Sequence, residues 1–121
     1  MFILSKRSLN NLVGVNKDLV AVVKRAIELT EIDFAVTEGV RTLERQIELL
    51  TKKVTRTLNS KHLVGDAVDL AAYVNGTVSW DKHHYFAISN AMKLAAKELN
   101  VDIRWGGDFK SFFDGPHFEL I

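Results

Sequence analysis

The sequence predicts an α+β fold in which a mainly antiparallel sheet carries helices packed against it. Stretches with apolar residues three and four apart are interspersed with short stretches of period two, and no regular strand–helix–strand rhythm of a parallel sheet runs through them. Asn75-Gly76, a strong hairpin-turn dipeptide, links two of the period-two stretches, so that pair at least is antiparallel.

The elements follow in chain order. Ser5 to Gly14 mixes Leu9, Leu12 and Val13 with polar residues; it reads as a short helical or irregular lead-in that packs Leu9 and Leu12 on the core and ends at Gly14. Asn16 can accept an orphan N–H of a first turn, and Asp18 sits where the helix dipole favours an anion. From there Leu19, Val22, Val23, Ala26 and Ile27 define an amphipathic helix over about residues 17–31. Phe34-Ala35-Val36-Thr37 alternates and is a strand ending at Gly39. Leu43, Ile47, Leu50 and Val54 mark the expected inner face of a second helix, roughly 42–53. The stretch from Lys52 to Lys61, with Lys53 and Arg56, reads as an exposed basic loop.

Ala67 to Tyr73 is a strand with Ala67, Asp69 and Ala71 on one face and Val68, Leu70 and Ala72 on the other. Thr77 to Trp80 returns from the turn as a short strand or an extended arm. Asp81 caps a third helix over about 82–99, with Phe86, Ile88, Ala91, Met92, Ala95, Ala96 and Leu99 forming a broad apolar face. Val101 to Trp105 alternates as a strand, Gly106-Gly107 breaks it, Phe109, Phe112 and Phe113 make an aromatic loop, and His117 to Ile121 is the final strand.

With 121 residues and 47% hydrophobic content, the chain is expected to form one domain with one core. A formal charge of +1 sets no electrostatic bias toward nucleic acid, and no apolar run approaches the roughly 20 residues of a membrane span. The N-terminus puts Phe2, Ile3 and Leu4 ahead of Lys6 and Arg7, the reverse of a secretory signal, so synthesis in the cytoplasm is expected. Cysteine is absent, which leaves nitrogen and oxygen as the only ligands for a metal.

Those ligands are at hand. His62 and Asp69 lie seven residues apart, one in a loop and one in the strand it enters, with Gly65 allowing a sharp turn between them. If the final strand pairs beside the Asp69 strand, His117 completes a set of two imidazoles and a carboxylate. Zinc bound by three protein groups keeps a fourth position for water, the mark of a catalytic site. Asp114, three residues before His117, is the candidate general base. Arg41, at the turn that enters the second helix, is placed to bind a substrate carboxylate or a developing oxyanion. Ser60 and Gln46 are lesser candidates for substrate hydrogen bonds. His83 and His84 read as structural residues at a helix start, Asp66 as a turn residue and Glu119 as a surface or outer-shell carboxylate.

The string Ser60-x-His62-x-x-Gly65-x-Ala67-x-Asp69, followed by Asp114-x-x-His117, resembles the zinc-ligand signature of the M15 peptidases. Trp105-Gly106-Gly107-Asp108-Phe109, Gly115-Pro116-His117-Phe118-Glu119 and the Thr37-Glu38-Gly39-Val40-Arg41 turn further resemble its L-alanyl-D-glutamate endopeptidase branch, which includes phage endolysins. The resemblance implies a fold shared with Hedgehog signalling domains and DD-peptidases. It also implies Zn²⁺ on His62, Asp69 and His117, Asp114 as base, Arg41 on substrate or oxyanion, and the stem peptide of peptidoglycan as substrate. Some relatives carry Glu where this chain has Asp114. The implied setting is a phage endolysin, expected to be monomeric, that is made in the host cytoplasm and acts on the periplasmic wall after release. Cleavage at D-Ala-D-Ala, a non-catalytic zinc-bearing module and a non-haem iron oxygenase are the competing readings; two His and one carboxylate also suit Fe(II).

Overall fold

A computed structural model of the chain describes residues 1–52 and 60–121. Among the described residues four helices, α1 (Lys6–Asn11), α2 (Lys17–Leu29), α3 (Leu43–Thr51) and α4 (Lys82–Leu99), accompany five strands, β1 (Asp33–Glu38), β2 (Ala67–Val74), β3 (Thr77–Ser79), β4 (Ile103–Trp105) and β5 (His117–Leu120). Short 3₁₀ turns occupy Lys61–Val64 and Gly106–Asp108. The sheet runs β1-β2-β5-β4 with β3 beside the far end of β2, and every pairing is antiparallel.

The expected caps are present. Asn16 Oδ1 accepts the Asp18 amide at 2.9 Å to start α2, and Asp81 Oδ1 accepts the His83 amide at 2.9 Å to start α4. Asn75 and Gly76, with φ of 54° and 77°, form the β2–β3 turn, as a two-residue hairpin of the primed type requires. The helices α2 and α4 pack on one face of the sheet, where Leu19, Val22, Ile88 and Met92 meet Val68, Leu70, Ala72 and Phe118 in the main core. Asp69, His117 and Glu119 therefore belong to the other face, because side chains alternate along a strand.

Three expected faces turn out differently. Leu9 is 44% exposed, and α1 instead buries Ser8, whose Oγ accepts the Val36 amide at 2.9 Å while Asn11 donates to the Val36 carbonyl at 2.8 Å. The helix thus covers the outer edge of β1 with hydrogen bonds, which edge strands need, and Leu4, Leu12 and Val15 supply the apolar contact. In α3, Leu43 and Ile47 are exposed and the buried positions are Gln46 and Leu49. That rotation aims Gln46 at Arg41, whose Nη1 donates to Gln46 Oε1 at 2.6 Å, so a polar contact beside the site outweighs the apolar stripe. In α4, Phe86 and Leu99 are largely exposed, while Tyr85 and Ser89 join Ile88, Met92 and Ala95 inside. Val54, Lys53 and Arg56 lie outside the described residues.

Gly39 sits where the turn after β1 passes α1. A methyl group there would run into the Asn11 carbonyl oxygen and come within 2.8 Å of Val15 Cγ2. Gly39→Ala is expected to destabilise the protein by about 1–3 kcal/mol, the usual range for overpacking, in denaturant unfolding of the metal-stripped chain. Because the Gly39 carbonyl also binds His62, the same variant should bind metal more weakly.

Candidate metal centre

Register brings the ligands together. Glu38 on β1, Asp69 on β2 and His117 on β5 stand opposite one another in a row across three strands. Directly opposed residues share a face and hold their side chains close. His62 arrives from the neighbouring 3₁₀ turn, which Ser60 starts by accepting the His62 amide at 3.2 Å. Gly65, three residues after His62, ends that turn at φ 77°, a left-handed conformation that lets the chain reverse into β2. The Arg41 amide donates to the His62 carbonyl at 2.8 Å and the Leu120 amide to the Asp66 carbonyl at 2.8 Å, so the turn is tied to both sides of the site.

One ligand atom from each of His62, Asp69 and His117 lies within 4.8 Å of the others. The hydrogen bonds around them set the tautomers. His62 Nδ1 is 2.9 Å from the Gly39 carbonyl oxygen, which can only accept, so Nδ1 carries the proton and Nε2 presents a lone pair. His117 Nε2 is 2.7 Å from Glu119 Oε1, which leaves Nδ1 to face Asp69 Oδ1 at 3.4 Å. His62 Nε2 and Asp69 Oδ1 face each other at 3.3 Å, both buried and both without a hydrogen-bond partner among the described residues. Leaving two buried acceptors opposed is costly, and a cation between them removes the cost. The donor set fits a divalent ion of the zinc class.

Electrostatics follow from this packing. Burial pushes the Asp69 carboxyl up, but the His117 and His62 rings overcome it and hold it far below the usual carboxylate range. Burial pulls His117 down, and the carboxylates of Asp69 and Glu119 more than offset that, raising it. Asp114 is raised, first by burial and then by the Asp69 carboxylate, against the pull of His117, His62 and Arg41. A carboxyl with a raised pKa beside a metal set is a poised proton acceptor and donor. Its backbone is fixed on both sides: the Asp114 amide donates to the Gly106 carbonyl at 3.0 Å, and the His117 amide donates to the Asp114 carbonyl at 3.2 Å. Trp105 Nε1 adds a bond to the Gly115 carbonyl at 2.6 Å.

Of the remaining predicted residues, Arg41 and Gln46 come to the edge of the centre. Arg41 grips Glu38 through Nε at 2.6 Å and Nη2 at 2.9 Å, and its Nη2 lies 3.9 Å from Asp69 Oδ2. Gln46 contacts Arg41. Ser60 works as a cap. His84 Nδ1 lies 2.6 Å from Ser79 Oγ at the start of α4, in keeping with a structural residue. Glu38, Gly39 and Lys61 escape sequence reasoning, although Glu38 stands three residues before Arg41 and Lys61 is next to His62. A groove of about 260 Å³ at the outer edge of β1, lined among others by Ile3, Arg7, Asp33 and Tyr73, includes none of the predicted site residues.

The chain is similar over its whole length to known proteins. The family model for phage L-alanyl-D-glutamate peptidase matches residues 1–121. The L-alanyl-D-glutamate peptidase of Escherichia phage T5 is 33% identical, covering 99% of this chain and 98% of the phage protein. The crystal structure of the Serratia marcescens L-Ala D-Glu endopeptidase ChiX superimposes with a TM-score of 0.93 at 42% identity, over 98% of this chain and 90% of that one. The vancomycin-resistance D,D-dipeptidase VanXYg matches 88% of this chain and 50% of its own, with a TM-score of 0.56 at 18% identity, a likeness of fold alone. The chain belongs to the phage L-alanyl-D-glutamate peptidase family, in the endopeptidase branch of the M15 peptidases.

Proposed function

We propose that this chain is a zinc-dependent endopeptidase that hydrolyses the L-Ala–D-Glu bond in the peptide stem of peptidoglycan. The observation that carries the reading is the convergence of His62 Nε2, His117 Nδ1 and Asp69 Oδ1 on one point beside Asp114, in a chain 42% identical to an L-Ala D-Glu endopeptidase. Zinc, if held by those three side chains, would supply a Lewis acid for the scissile carbonyl and lower the pKa of a bound water to about 7. Asp114 takes the proton of the attacking water and returns it to the leaving amine, the role its raised pKa suits. Arg41 has five N–H groups, of which three are engaged with Glu38 and Gln46 among the described residues; the charge that remains directed at the site serves a substrate carboxylate or the oxyanion. Gln46 is fully buried against Arg41 and Ser60 caps the turn that carries His62, so both serve the site by holding its residues and neither is assigned the substrate hydrogen bond expected of it.

In its biological setting the chain is a phage endolysin acting as one monomeric catalytic domain, made in the host cytoplasm and reaching the periplasmic wall after release. Mass spectrometry of a defined muropeptide digested with the purified chain tests the bond and the substrate together. New amino termini on glutamate are expected. Free D-Ala would move the reading to D-Ala-D-Ala cleavage, and new reducing sugar ends without new amines would reject a peptidase altogether. Metal analysis of protein purified without added metal separates zinc from iron.

A further inference from the structure

We propose that Glu119, held from its far side by Lys61, is a positioning residue that fixes the His117 ring with Nδ1 turned to the metal and so sets the affinity of the centre for its ion. The inference rests on the metal-binding reading above. Glu119 is only 8% exposed, and a carboxylate so placed needs partners on both oxygens. It has them. Oε1 accepts from His117 Nε2 at 2.7 Å, and Oε2 lies 3.3 Å from Lys61 Nζ.

Glu119 is not itself a ligand, since it engages the nitrogen of His117 that points away from Asp69. With the proton held on Nε2, the Nδ1 lone pair is the only ring nitrogen left for a metal, and the ring cannot turn over without leaving Glu119 unpaired. The negative charge on Glu119 also makes the imidazole a stronger electron donor. Lys61 extends the chain of contacts. Its Nζ donates to the Leu120 carbonyl as well as facing Glu119, and it sits next to His62 on the 3₁₀ turn. The sequence Lys61, Glu119, His117 therefore bridges the two elements that carry the imidazole ligands, from outside the ligand set. Two residues of period-two spacing, His117 and Glu119, share a strand face to make this possible.

Competition of the metal-stripped full chain with a chromogenic chelator for zinc tests the assignment, alongside circular dichroism to confirm folding. Glu119→Ala should weaken zinc binding by about 10–100-fold, the range seen when the outer partner of a metal-bound histidine is lost. Glu119→Gln keeps an acceptor but not the charge and should fall between parent and alanine variant. Lys61→Met should weaken binding in the same direction by less. In ¹⁵N spectra of the zinc-loaded parent, the His117 ring should show a metal-bound Nδ1 and a protected Nε2–H; Glu119→Ala should lose that protection, which a merely structural carboxylate would not govern. A folded Glu119→Ala with unchanged zinc affinity overturns the proposal. Should that variant fail to fold, unchanged affinity in both Glu119→Gln and Lys61→Met overturns it equally. A parent chain that binds no zinc instead overturns the metal reading, and the two failures are thereby distinguished.

Discussion

Replacing Asp114 with alanine is expected to lower kcat on a defined muropeptide by about 10²–10⁴-fold, the usual worth of a positioned acid–base group, while zinc stoichiometry stays at the parent level. The two halves of this result have separate causes. Asp114 is held beside the centre by its backbone bonds to Gly106 and His117, yet it is not among the converging ligand atoms, so its removal takes away a proton carrier and leaves the ion's donors in place. Burial first and then the Asp69 carboxylate raise its pKa, against the pull of His117, His62 and Arg41, and its coupling to all three ligands puts it beside the water that a metal on those residues would hold. Asp114→Asn preserves shape and should be as inactive as the alanine variant, because an amide cannot accept and return the proton. Zinc content by chelator assay and product release by mass spectrometry read the two effects independently. Unchanged turnover in either variant would remove Asp114 from the mechanism, and loss of zinc would reassign it as a ligand.

The ligand set is legible in the sequence because chain-local chemistry encodes it. His62, the turn-forming Gly65 and Asp69 are close in sequence, and period-two alternation places Asp69 on a defined strand face. Asp114 is legible for the same reason, three residues from His117. What seats their supporting network at the site is long-range, and spacing does not show it. The Glu38–Arg41 pair is local, three residues apart, but only the β1–β2 register puts it beside Asp69, and the Gly39–His62 bond needs the turn after β1 to meet a 3₁₀ turn over twenty residues away. The helix α3 is the instructive miss. Its apolar residues form a clean stripe at Leu43, Ile47 and Leu50, but the helix lies against Arg41, where burying Gln46 satisfies a guanidinium N–H that a leucine would strand. Hydrophobic periodicity finds the helix and misplaces its inner face, since the surface it covers is polar.

Asp69→Ala is expected to have the larger effect on metal, weakening zinc binding by at least about 100-fold, beyond the cost of losing an outer partner, and taking hydrolysis to background. Asp69 faces both imidazoles, at 3.3 Å and 3.4 Å, and Arg41 at 3.9 Å. The variant also makes a prediction for the metal-stripped protein, where the sign is fixed by linkage. His117 is raised in the folded state, chiefly by Asp69 and Glu119 acting against burial, so its contribution to stability is fully present below the ordinary histidine value of about 6.5 and is lost as pH rises through the folded pKa. Asp69 and Glu119 are lowered, so theirs is present above the ordinary carboxylate values of about 4 and is lost as pH falls. The metal-stripped parent should therefore gain most from these groups between about pH 4.5 and 6.5 and weaken toward pH 8. In Asp69→Ala that weakening on the alkaline side should shrink, because the foremost group raising His117 is gone. The raised His117 also means that a proton competes with the metal, so zinc uptake by the parent near pH 7 should release protons, and its zinc affinity should fall as the pH is lowered. Thermal melts of metal-stripped parent and variant across pH 5 to 8, with calorimetric zinc titrations of the parent in buffers of different ionisation heat, read both effects. A variant whose melting temperature follows pH as steeply as the parent's would show that the Asp69–His117 contact does not carry the charge coupling drawn from it.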